Sequence, residues 1–469
     1  MRLSPVLALA TALIAGSTGL LPLSAVAEQG NNKVEVRQYQ LDNGMKILVK
    51  EDHRAPVVVS QVWYKVGSSY EYNGITGVSH VLEHMMFKGT KTLGPNEFSK
   101  IISANGGREN AFTGRDYTAY FQRMHKDRIE VSFRLEADRM RNLTLPEEEF
   151  KKEIRVVMEE RRLRTEDKPT SLTYEQFSAA AYQSSPYHHP VIGWMEDLKS
   201  MENDDLKDWY ERWYSPANAT LVVVGDVEAD KVYQLAKKHF GPLTGPAVKP
   251  LKPQREVKQR GERRIKVRAQ AEVPYLLMGY KVPVLRTAED SNEAYALEML
   301  AGVLDGGSSA RLSRELVRGK QIAVSAGAGY DMYNRINSLF LFDGRPANGH
   351  SVEDLEKAIR AQVERVRTTL ATQDELDRIK AQVVAAKVYE LDSVFYQAMQ
   401  IGTLETVGLD HKLLDEYVAR IRAVTPQQIQ DVARKYLIDD GLTVAVLEPL
   451  KDTKHDSLSS AVKGGSNAH

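Results

Sequence analysis

One arrangement of secondary structure is encoded twice in this chain, and it constrains the fold more than any other feature of the sequence. In the first copy, an amphipathic helical pattern over residues 205–214 leads into an apolar run over residues 219–225. In the second copy, a helical pattern over residues 428–436 leads into an apolar run over residues 442–447. A helix followed by a buried strand at the end of each half predicts a duplicated α+β unit, although two such pairs can also arise by chance.

The chain also divides near its middle. Its 469 residues exceed what one ordinary hydrophobic core organises. Between residues 241 and 261 the sequence is rich in Pro, Gly, Lys and Arg and loses apolar periodicity, which is typical of a linker. The predicted organisation is a first domain over residues 28–240, this linker, a second domain over residues 262–450 and a flexible tail over residues 451–469.

The first domain mixes strand and helix patterns. Alternating residues around the tight turn at residues 42–44 (Asp-Asn-Gly) predict a hairpin, and another strand is predicted at residues 117–122. A helical period is present at residues 77–88, and a longer helix should run from Pro146 to about Arg164. These elements predict the α+β class.

Composition excludes several kinds of partner and chemistry. Basic and acidic residues are equal in number, at 63 each, so no net field favours nucleic acid or an anionic membrane. Cysteine is absent, which excludes disulfides, a cysteine nucleophile and thiolate metal ligands. A bound metal would have to be held by His, Asp or Glu.

The N-terminus has the features of a signal peptide over residues 1–27. Arg2 precedes an apolar run that ends near Leu23, and residues 25–27 (Ala-Val-Ala) offer small side chains for cleavage before Glu28. A membrane anchor is the alternative, but Gly, Ser and Thr interrupt the run and no second stretch could span a bilayer. A cleaved signal and a cysteine-free mature chain predict a periplasmic protein.

The pentad His80-Val81-Leu82-Glu83-His84 carries the most specific chemical signal. On a helix, His80 and His84 lie about 40° apart and Glu83 about 60° to the other side of His80, so the three share one face. Two imidazoles one turn apart suit tetrahedral zinc, and the carboxylate can take a proton from water activated by the metal. Ordinary polar residues on an amphipathic helix are the alternative, but apolar neighbours indicate burial, and buried imidazoles require partners.

A third ligand should come from the long helix, because a catalytic zinc usually keeps three protein ligands and an open position. An apolar arc is expected on one side of this helix, and it consists of Phe150, Ile154, Val156, Val157, Met158 and Leu163. Glu153 and Glu160 fall inside the arc two turns apart, whereas Glu159 points away. Salt bridges from Glu153 and Glu160 to nearby Arg are the alternative.

These residues resemble a known family, the inverzincins, which include pitrilysin, insulin-degrading and mitochondrial-processing-peptidase-like metallopeptidases. The inverted pentad is the signature of that family. The resemblance implies one catalytic zinc per chain, with Glu160 as the third ligand and Glu153 as an accessory catalytic residue. It also implies two homologous α+β domains, each a mainly antiparallel sheet packed with helices, that face each other across a cleft.

The resemblance extends through residues 105–118. In similar proteins this stretch forms an edge strand whose backbone pairs with an extended substrate peptide, and Asn110 and Ala111 inherit that role. Main-chain hydrogen bonds from an edge strand hold peptides with little sequence preference. A plain hairpin with a Gly-rich turn explains the glycines equally well.

One departure from the family pattern concerns the second domain. Relatives carry an Arg and a Tyr, seven residues apart, that reach substrate across the cleft, whereas Val317 and Val324 stand at those positions here. Valine supplies neither a cation nor a phenol hydrogen bond. We therefore expect a heterodimer with a homologous chain that supplies the Arg and Tyr, with a homodimer as the alternative.

Together these features predict a zinc-dependent endopeptidase that cleaves peptides or unfolded polypeptides, held as an extended strand in a closed chamber, with Glu83 as general base. A non-catalytic recognition subunit and a zinc hydrolase of other substrates remain alternatives. His188 and His189 resemble a metal pair, but adjacent residues on a strand diverge, so a loop near the cleft is expected instead. The histidines expected to be structural or exposed are His125, His239 and His411.

Overall fold

The computed structural model of the protein describes residues 35–249 and 251–450. The predicted signal peptide and the predicted tail lie outside these residues. Within them, none of the helices combines the length and apolar composition needed to cross a bilayer.

Among residues 35–249, one sheet is packed with helices. Its strands are β1 (Arg37–Gln40), β2 (Lys46–Glu51), β3 (Val57–Tyr64), β4 (Arg108–Thr113), β5 (Thr118–His125) and β6 (Ala219–Gly225). The helices are α1 (Val78–Met85), α2 (Glu97–Ala104), α3 (Ile129–Asn142), α4 (Glu147–Arg161), α5 (Pro169–Ala181), α6 (Met195–Ser200), α7 (Asn203–Trp213) and α8 (Ala229–His239). The strand order is β1-β2-β6-β3-β5-β4, and only β2 and β6 pair in parallel.

Residues 251–450 form a second sheet with its own helices. The strands are β7 (Arg263–Ala269), β8 (Tyr275–Val282), β9 (Ala323–Gly329), β10 (Ser338–Pro346) and β11 (Leu442–Pro449). The helices are α9 (Asn292–Asp305), α10 (Val352–Thr368), α11 (Gln373–Leu391), α12 (Val394–Val407), α13 (Leu413–Ala423) and α14 (Pro426–Tyr436). The strand order is β7-β11-β8-β10-β9, and only β7 and β11 pair in parallel.

The two sheets repeat one topology. In order and direction, β2-β6-β3-β5-β4 of the first sheet matches β7-β11-β8-β10-β9 of the second, and β1 is an addition to the first. The two helix–strand pairs that the sequence predicted near the end of each half are α7 with β6 and α14 with β11. The duplicated α+β fold is therefore confirmed.

One helix from each half packs on the sheet of the other half. Helix α12 packs on β3 and β6 of the first sheet, and helix α5 packs on β7, β8 and β11 of the second. Each contact leaves no room for a side chain on one glycine: a Cβ on Gly402 would lie 2.1 Å from the ring of Trp63, and one on Gly279 would lie 2.7 Å from Phe177. The central strand β6 is buried along its whole length because helices cover both faces of the sheet.

The segment between the halves forms neither helix nor strand from residue 241 to residue 262, in the part of it that the structure describes. It is nevertheless anchored, because Glu256 accepts backbone N–H hydrogen bonds from residues 183–185 at 2.8 to 3.1 Å and pairs with Lys281 at 2.6 Å. Burial opposes ionisation of Glu256, but Lys281 and the three N–H groups lower its pKa to about 2.

Candidate metal centre

The pentad lies on α1, whose N-terminus is held firmly in place. Glu71 accepts hydrogen bonds from the backbone N–H groups of Gly77 at 2.7 Å and Ser79 at 2.9 Å, which satisfies donors that a helix start leaves free. Gly77 has a φ of 90°, and a Cβ there would lie 2.7 Å from the carbonyl oxygen of Ile192. The helix direction is therefore set by a close backbone contact that only glycine allows.

Three donor side chains converge where α1 crosses α4. The Nε2 atoms of His80 and His84 lie 3.9 Å and 3.6 Å from Oε2 of Glu160, and the imidazole centroids are 4.9 Å apart. One donor atom from each of these residues lies within 4.8 Å of the other two. Ligand atoms at about 2.1 Å from a tetrahedral zinc are roughly 3.4 Å apart, and the two histidine–glutamate separations are close to that value.

Glu160 and Glu153 each divide their two oxygens between a cation and a histidine. Oε1 of Glu160 pairs with Arg164 at 2.5 Å while Oε2 faces the histidines. Oε1 of Glu153 pairs with Lys88 at 2.6 Å, and Oε2 lies 3.3 Å from Nδ1 of His84. The salt-bridge alternative and the metal-site interpretation of these glutamates are therefore compatible. A carboxylate on Nδ1 of His84 favours the tautomer whose Nε2 is free to act as a ligand.

The protonation behaviour of the pentad suits a metal ligand and a base. Burial, with the charges of His84 and Arg164, lowers the pKa of His80 to about 3, so its imidazole stays neutral near pH 7. Nδ1 of His80 has no hydrogen-bond partner among the described residues. Burial raises the pKa of Glu83, and the hydroxyl of Thr113, which donates to Glu83 Oε2 at 2.5 Å, opposes that shift.

The predicted substrate residues lie on β4, the outer strand of the first sheet next to α1. Asn110 is exposed and pairs with Phe121 of β5, whereas Ala111 is half-buried against the first core. The Ala111 N–H donates to the Asn110 side chain at 2.9 Å. Because side chains alternate along a strand, Ala111 and Thr113 share the face on which the Thr113 hydroxyl donates to Glu83. The edge strand thus runs beside the candidate metal centre.

The two valines that depart from the family pattern lie in the second half. Val317 is half-buried against the second core, in an irregular helical turn over Ser313–Gly319. Val324 is 66% exposed and lies on β9, the edge strand that corresponds to β4.

One expectation, the apolar arc of the long helix, needs correction. Val156 on α4 is 48% exposed, and Leu163 in the π-helical turn that follows α4 (Arg162–Glu166) is 56% exposed, so the apolar arc is interrupted by solvent on the side that adjoins Glu160. His188 ends a short 3₁₀ turn and His189 follows it, so the pair lies in a loop rather than on a strand, and the two rings pack 4.1 Å apart. One nitrogen of each ring is engaged elsewhere: Nδ1 of His188 contacts the Ser185 carbonyl, and Nε2 of His189 contacts the Asn73 side chain.

A second group of potential donors consists of Glu405, Asp410 and His411. Glu405 accepts from the backbone N–H of His411 at 3.1 Å, contacts its Nδ1 at 2.8 Å and pairs with Lys46 at 2.7 Å. An ammonium group therefore already balances this carboxylate. The other two histidines of uncertain role pair with acids, His125 with Asp127 and His239 with Glu130.

Three side chains that contact the site were not predicted. Lys88 and Arg164 each neutralise one of the two glutamates, and Thr113 holds Glu83. The position of Arg164, four residues after Glu160, is a signal for a helical ion pair. Thr113 could have been found from its spacing, because it lies two residues after Ala111 on the same strand face.

Comparison with known proteins identifies two matching family descriptions. A sequence model described as Insulinase (Peptidase family M16) matches residues 46–193, and one described as Peptidase M16 inactive domain matches residues 200–383. Zinc protease PqqE of Helicobacter pylori is 35% identical over 413 residues, which cover 87% of this chain and 92% of that protein. The uncharacterized zinc protease YmxG of Bacillus subtilis is 28% identical over 417 residues, 88% of this chain and 98% of that protein.

Solved structures agree on the architecture. A protease from Helicobacter pylori superposes with a TM-score of 0.84 at 34% identity, covering 88% of this chain and 100% of that one. The first half of the periplasmic protease PqqL from Escherichia coli matches with a TM-score of 0.74 at 19% identity, covering 92% of this chain and 97% of that one, and supports the fold alone. In the whole PqqL chain the match covers 50% of the length.

Proposed function

This chain belongs to the insulinase family of zinc metallopeptidases, peptidase family M16, and from that premise we propose that it is an endopeptidase for peptides and unfolded polypeptides. The observation that carries the proposal is the convergence of His80, His84 and Glu160 beside Glu83, next to the edge strand β4.

We assign one zinc ion per chain to His80, His84 and Glu160. When bound, zinc polarises a peptide carbonyl and lowers the pKa of a coordinated water. Glu153 acts as a positioning residue, because its carboxylate lies against Nδ1 of His84 and orients that ring. Lys88 pairs with Glu153, so Glu153 does not add an uncompensated negative charge beside the metal centre.

Glu83 is the general base of the proposed reaction. Its carboxylate removes a proton from the attacking water, whose oxygen forms a bond to the peptide carbonyl carbon. Glu83 then delivers this proton to the departing nitrogen as the C–N bond breaks. The buried setting raises the pKa of Glu83 and so suits a group that must both accept and return a proton, and Thr113 fixes the direction of the carboxylate.

Substrate would add as an extended strand to the outer edge of β4. Backbone groups at Asn110 and Ala111 would pair with the peptide, which places its scissile bond beside Glu83 because Ala111 and Thr113 share one face of the strand. Recognition through main-chain groups does not depend on chain termini. We therefore propose internal cleavage of unfolded chains in preference to trimming of ends.

A second subunit is proposed to complete a closed chamber. The family describes the second half as inactive, and Val317 and Val324 cannot supply the Arg and Tyr expected there. The whole PqqL chain is about twice as long as the part that this chain matches, which leaves room for a second pair of domains. A heterodimer with a homologous chain is the favoured assembly, and a homodimer is the alternative.

The periplasm is the proposed location of the mature protein. This proposal rests on the signal-like residues 1–27, and one structural neighbour, PqqL, is described as periplasmic. N-terminal sequencing of the protein from its native host should find a mature chain that starts at Glu28. An intact Met1 in the mature protein would contradict cleavage.

Cleavage of an unfolded polypeptide by the purified mature chain tests the function. We expect internal cuts that a chelator abolishes and one equivalent of zinc restores, either by the chain alone or after addition of the homologous subunit. Absence of cleavage with every homologous partner would support a non-catalytic subunit instead. Zinc-dependent hydrolysis of small esters without any peptide cleavage would support a different hydrolase.

A further inference from the structure

One arginine of the second half is inserted into the first half. Arg335 lies between β9 and β10, and its side chain is 11% exposed. Its guanidinium donates to Asp116 at 3.0 Å, to Ser69 Oγ at 2.8 Å and to Gln254 at 3.1 Å. It also lies over the ring of Tyr70, 4.5 Å from the centroid.

Asp116, the acidic partner of this arginine, lies in the turn between β4 and β5 and is 3% exposed. Its oxygens accept hydrogen bonds from the hydroxyls of Ser69 and Tyr187 and from the backbone N–H of Arg335 at 3.1 Å. Among the described residues, Arg335 is the cation that forms a salt bridge with Asp116. Removal of the cation would leave a buried carboxylate without a counter-charge, which is costly.

The same turn is in tight contact with the segment that precedes α1. A Cβ on Gly67 would lie 2.4 Å from the carbonyl oxygen of Gly114 and 2.8 Å from that of Arg115. The N–H of Ser69 donates to the Arg115 carbonyl at 2.8 Å. The turn is therefore confined between this segment on one side and Arg335 on the other.

The turn leads directly into the proposed catalytic machinery. Strand β4 ends at Thr113, the residue before Gly114, and the Thr113 hydroxyl donates to Glu83. Ala111, proposed to pair with substrate, is two residues earlier on the same strand. A shift of the turn would move the hydroxyl that orients Glu83 and the strand edge together, and misplacement of reacting groups by about 1 Å can cost about 100-fold in rate.

We propose that Arg335 is a positioning residue, through which the second half fixes the β4–β5 turn and thereby the edge strand and the Glu83 carboxylate. The roles given to that strand and carboxylate rest on the proposed function, whereas the ordering of the turn does not. The half described as inactive thus contributes to catalysis without touching substrate.

The test compares Arg335→Met with a matched control, Lys46→Met. Lys46 also forms an ion pair between the halves, to Glu405 at 2.7 Å, but it lies on β2, with β6, β3 and β5 between it and β4. The full chain, with its partner if activity requires one, is assayed for kcat, KM, zinc content and hydrogen–deuterium exchange of residues 108–117.

Arg335→Met should lower kcat about tenfold or more, with full zinc content and faster amide exchange in β4. Arg335→Lys keeps the positive charge and should therefore retain part of the wild-type kcat and part of the slow amide exchange in β4. Lys46→Met should lower the melting temperature but leave kcat and β4 exchange within about twofold of wild type. If Arg335→Met changes only the melting temperature, as the control does, the proposal is overturned.

Amide exchange separates this proposal from the proposed function, because it needs no activity. A wild type that cleaves no peptide would refute the peptidase proposal while exchange in Arg335→Met still decides the role of the arginine. If Arg335→Met does not fold, the isosteric variant Asp116→Asn replaces it. Faster β4 exchange in Asp116→Asn then supports the proposal, and unchanged exchange overturns it.

Discussion

The two halves have the same sheet topology but differ in the region where the pentad lies. In each half a helix that follows the second matched strand packs against a later long helix: α1 against α4, and α9 against α11. Between α1 and α4 two imidazoles and a carboxylate meet. Between α9 and α11 the helices close on each other, and a Cβ on Gly302 would lie 2.7 Å from Ile379. The same pair of helices packs with or without two imidazoles at this crossing, so the proposed chemistry depends on a few side chains.

The second half nevertheless keeps a buried carboxylate on the corresponding helix. Glu298 of α9 accepts a hydrogen bond from the Tyr417 hydroxyl at 2.5 Å, and burial raises its pKa to about 7. Neither α9 nor α11 contains a histidine. A buried carboxylate of raised pKa is therefore present in both halves, and the imidazoles are what distinguish the metal centre.

The largest expected effect comes from neutralising Glu83, and Glu298 of the second half provides the matched control. Glu83→Gln should lower kcat by about 10²- to 10⁴-fold while zinc content stays at wild-type level, because a general base is lost and the ligands remain. Glu298→Gln should leave kcat unchanged, because Glu298 lies outside the proposed metal centre. Peptide cleavage with metal analysis measures both. Equal losses in the two variants would break the comparison between the halves.

A smaller effect, on zinc affinity, is expected from the carboxylates of the proposed zinc site. Glu160→Gln should lose stoichiometric zinc. Glu153→Gln should weaken zinc affinity by about 10- to 100-fold, because in our proposal Glu153 orients His84 through its contact with Nδ1 and is not itself a ligand. Glu159→Gln, on the exposed side of the same helix, is the control and should bind zinc as wild type does. Competition with a chromogenic chelator gives the affinities. Wild-type affinity in Glu153→Gln would contradict its positioning role.

Helices α12 and α5, which each pack on the sheet of the other half, allow a test of stability. Gly402→Ala places a methyl group against Trp63, and Gly279→Ala places one against Phe177, where the approach is less severe. We expect about 1–3 kcal/mol of destabilisation for each, with the larger value for Gly402→Ala. Urea unfolding measures the difference. A neutral Gly402→Ala would show that α12 does not pack on the first sheet as described.

The smallest effect concerns the segment that joins the halves. Because the pKa of Glu256 is lowered from 4.5 to about 2, its contribution to stability is present above about pH 4.5 and is lost as the pH falls towards 2. Glu256→Gln should therefore cost about 1–2 kcal/mol at pH 7 and little near pH 2. Thermal unfolding across this pH range, with exposed Glu353→Gln as control, checks it. A loss that persists undiminished at pH 2 would contradict the ionised anchor.

Local patterns in the sequence predicted much of the fold and part of the site. Helical geometry selected His80, Glu83 and His84, and the same reasoning chose Glu153 and Glu160 over Glu159, because residues on one helix have a fixed angular relation. The structure brings these side chains together. Their roles as ligands and base stay predictions until metal and activity are measured.

Contacts between distant segments could not be predicted in the same way. Apolar periodicity shows that α5 and α12 have buried faces, but not that each covers the sheet of the other half. The pairing of Arg335 with Asp116 joins residues 219 positions apart, and no local spacing encodes it. The exposure of Val156 and Leu163 likewise depends on what α4 packs against rather than on its own sequence.

The position of zinc in crystals of the wild-type chain tests the central claim most directly. Diffraction data collected on both sides of the zinc absorption edge should show one anomalous peak per chain, between Nε2 of His80, Nε2 of His84 and Oε2 of Glu160. A peak at Glu405, Asp410 and His411 instead, or no peak in crystals grown with zinc, would contradict the assignment of the metal centre to the first half.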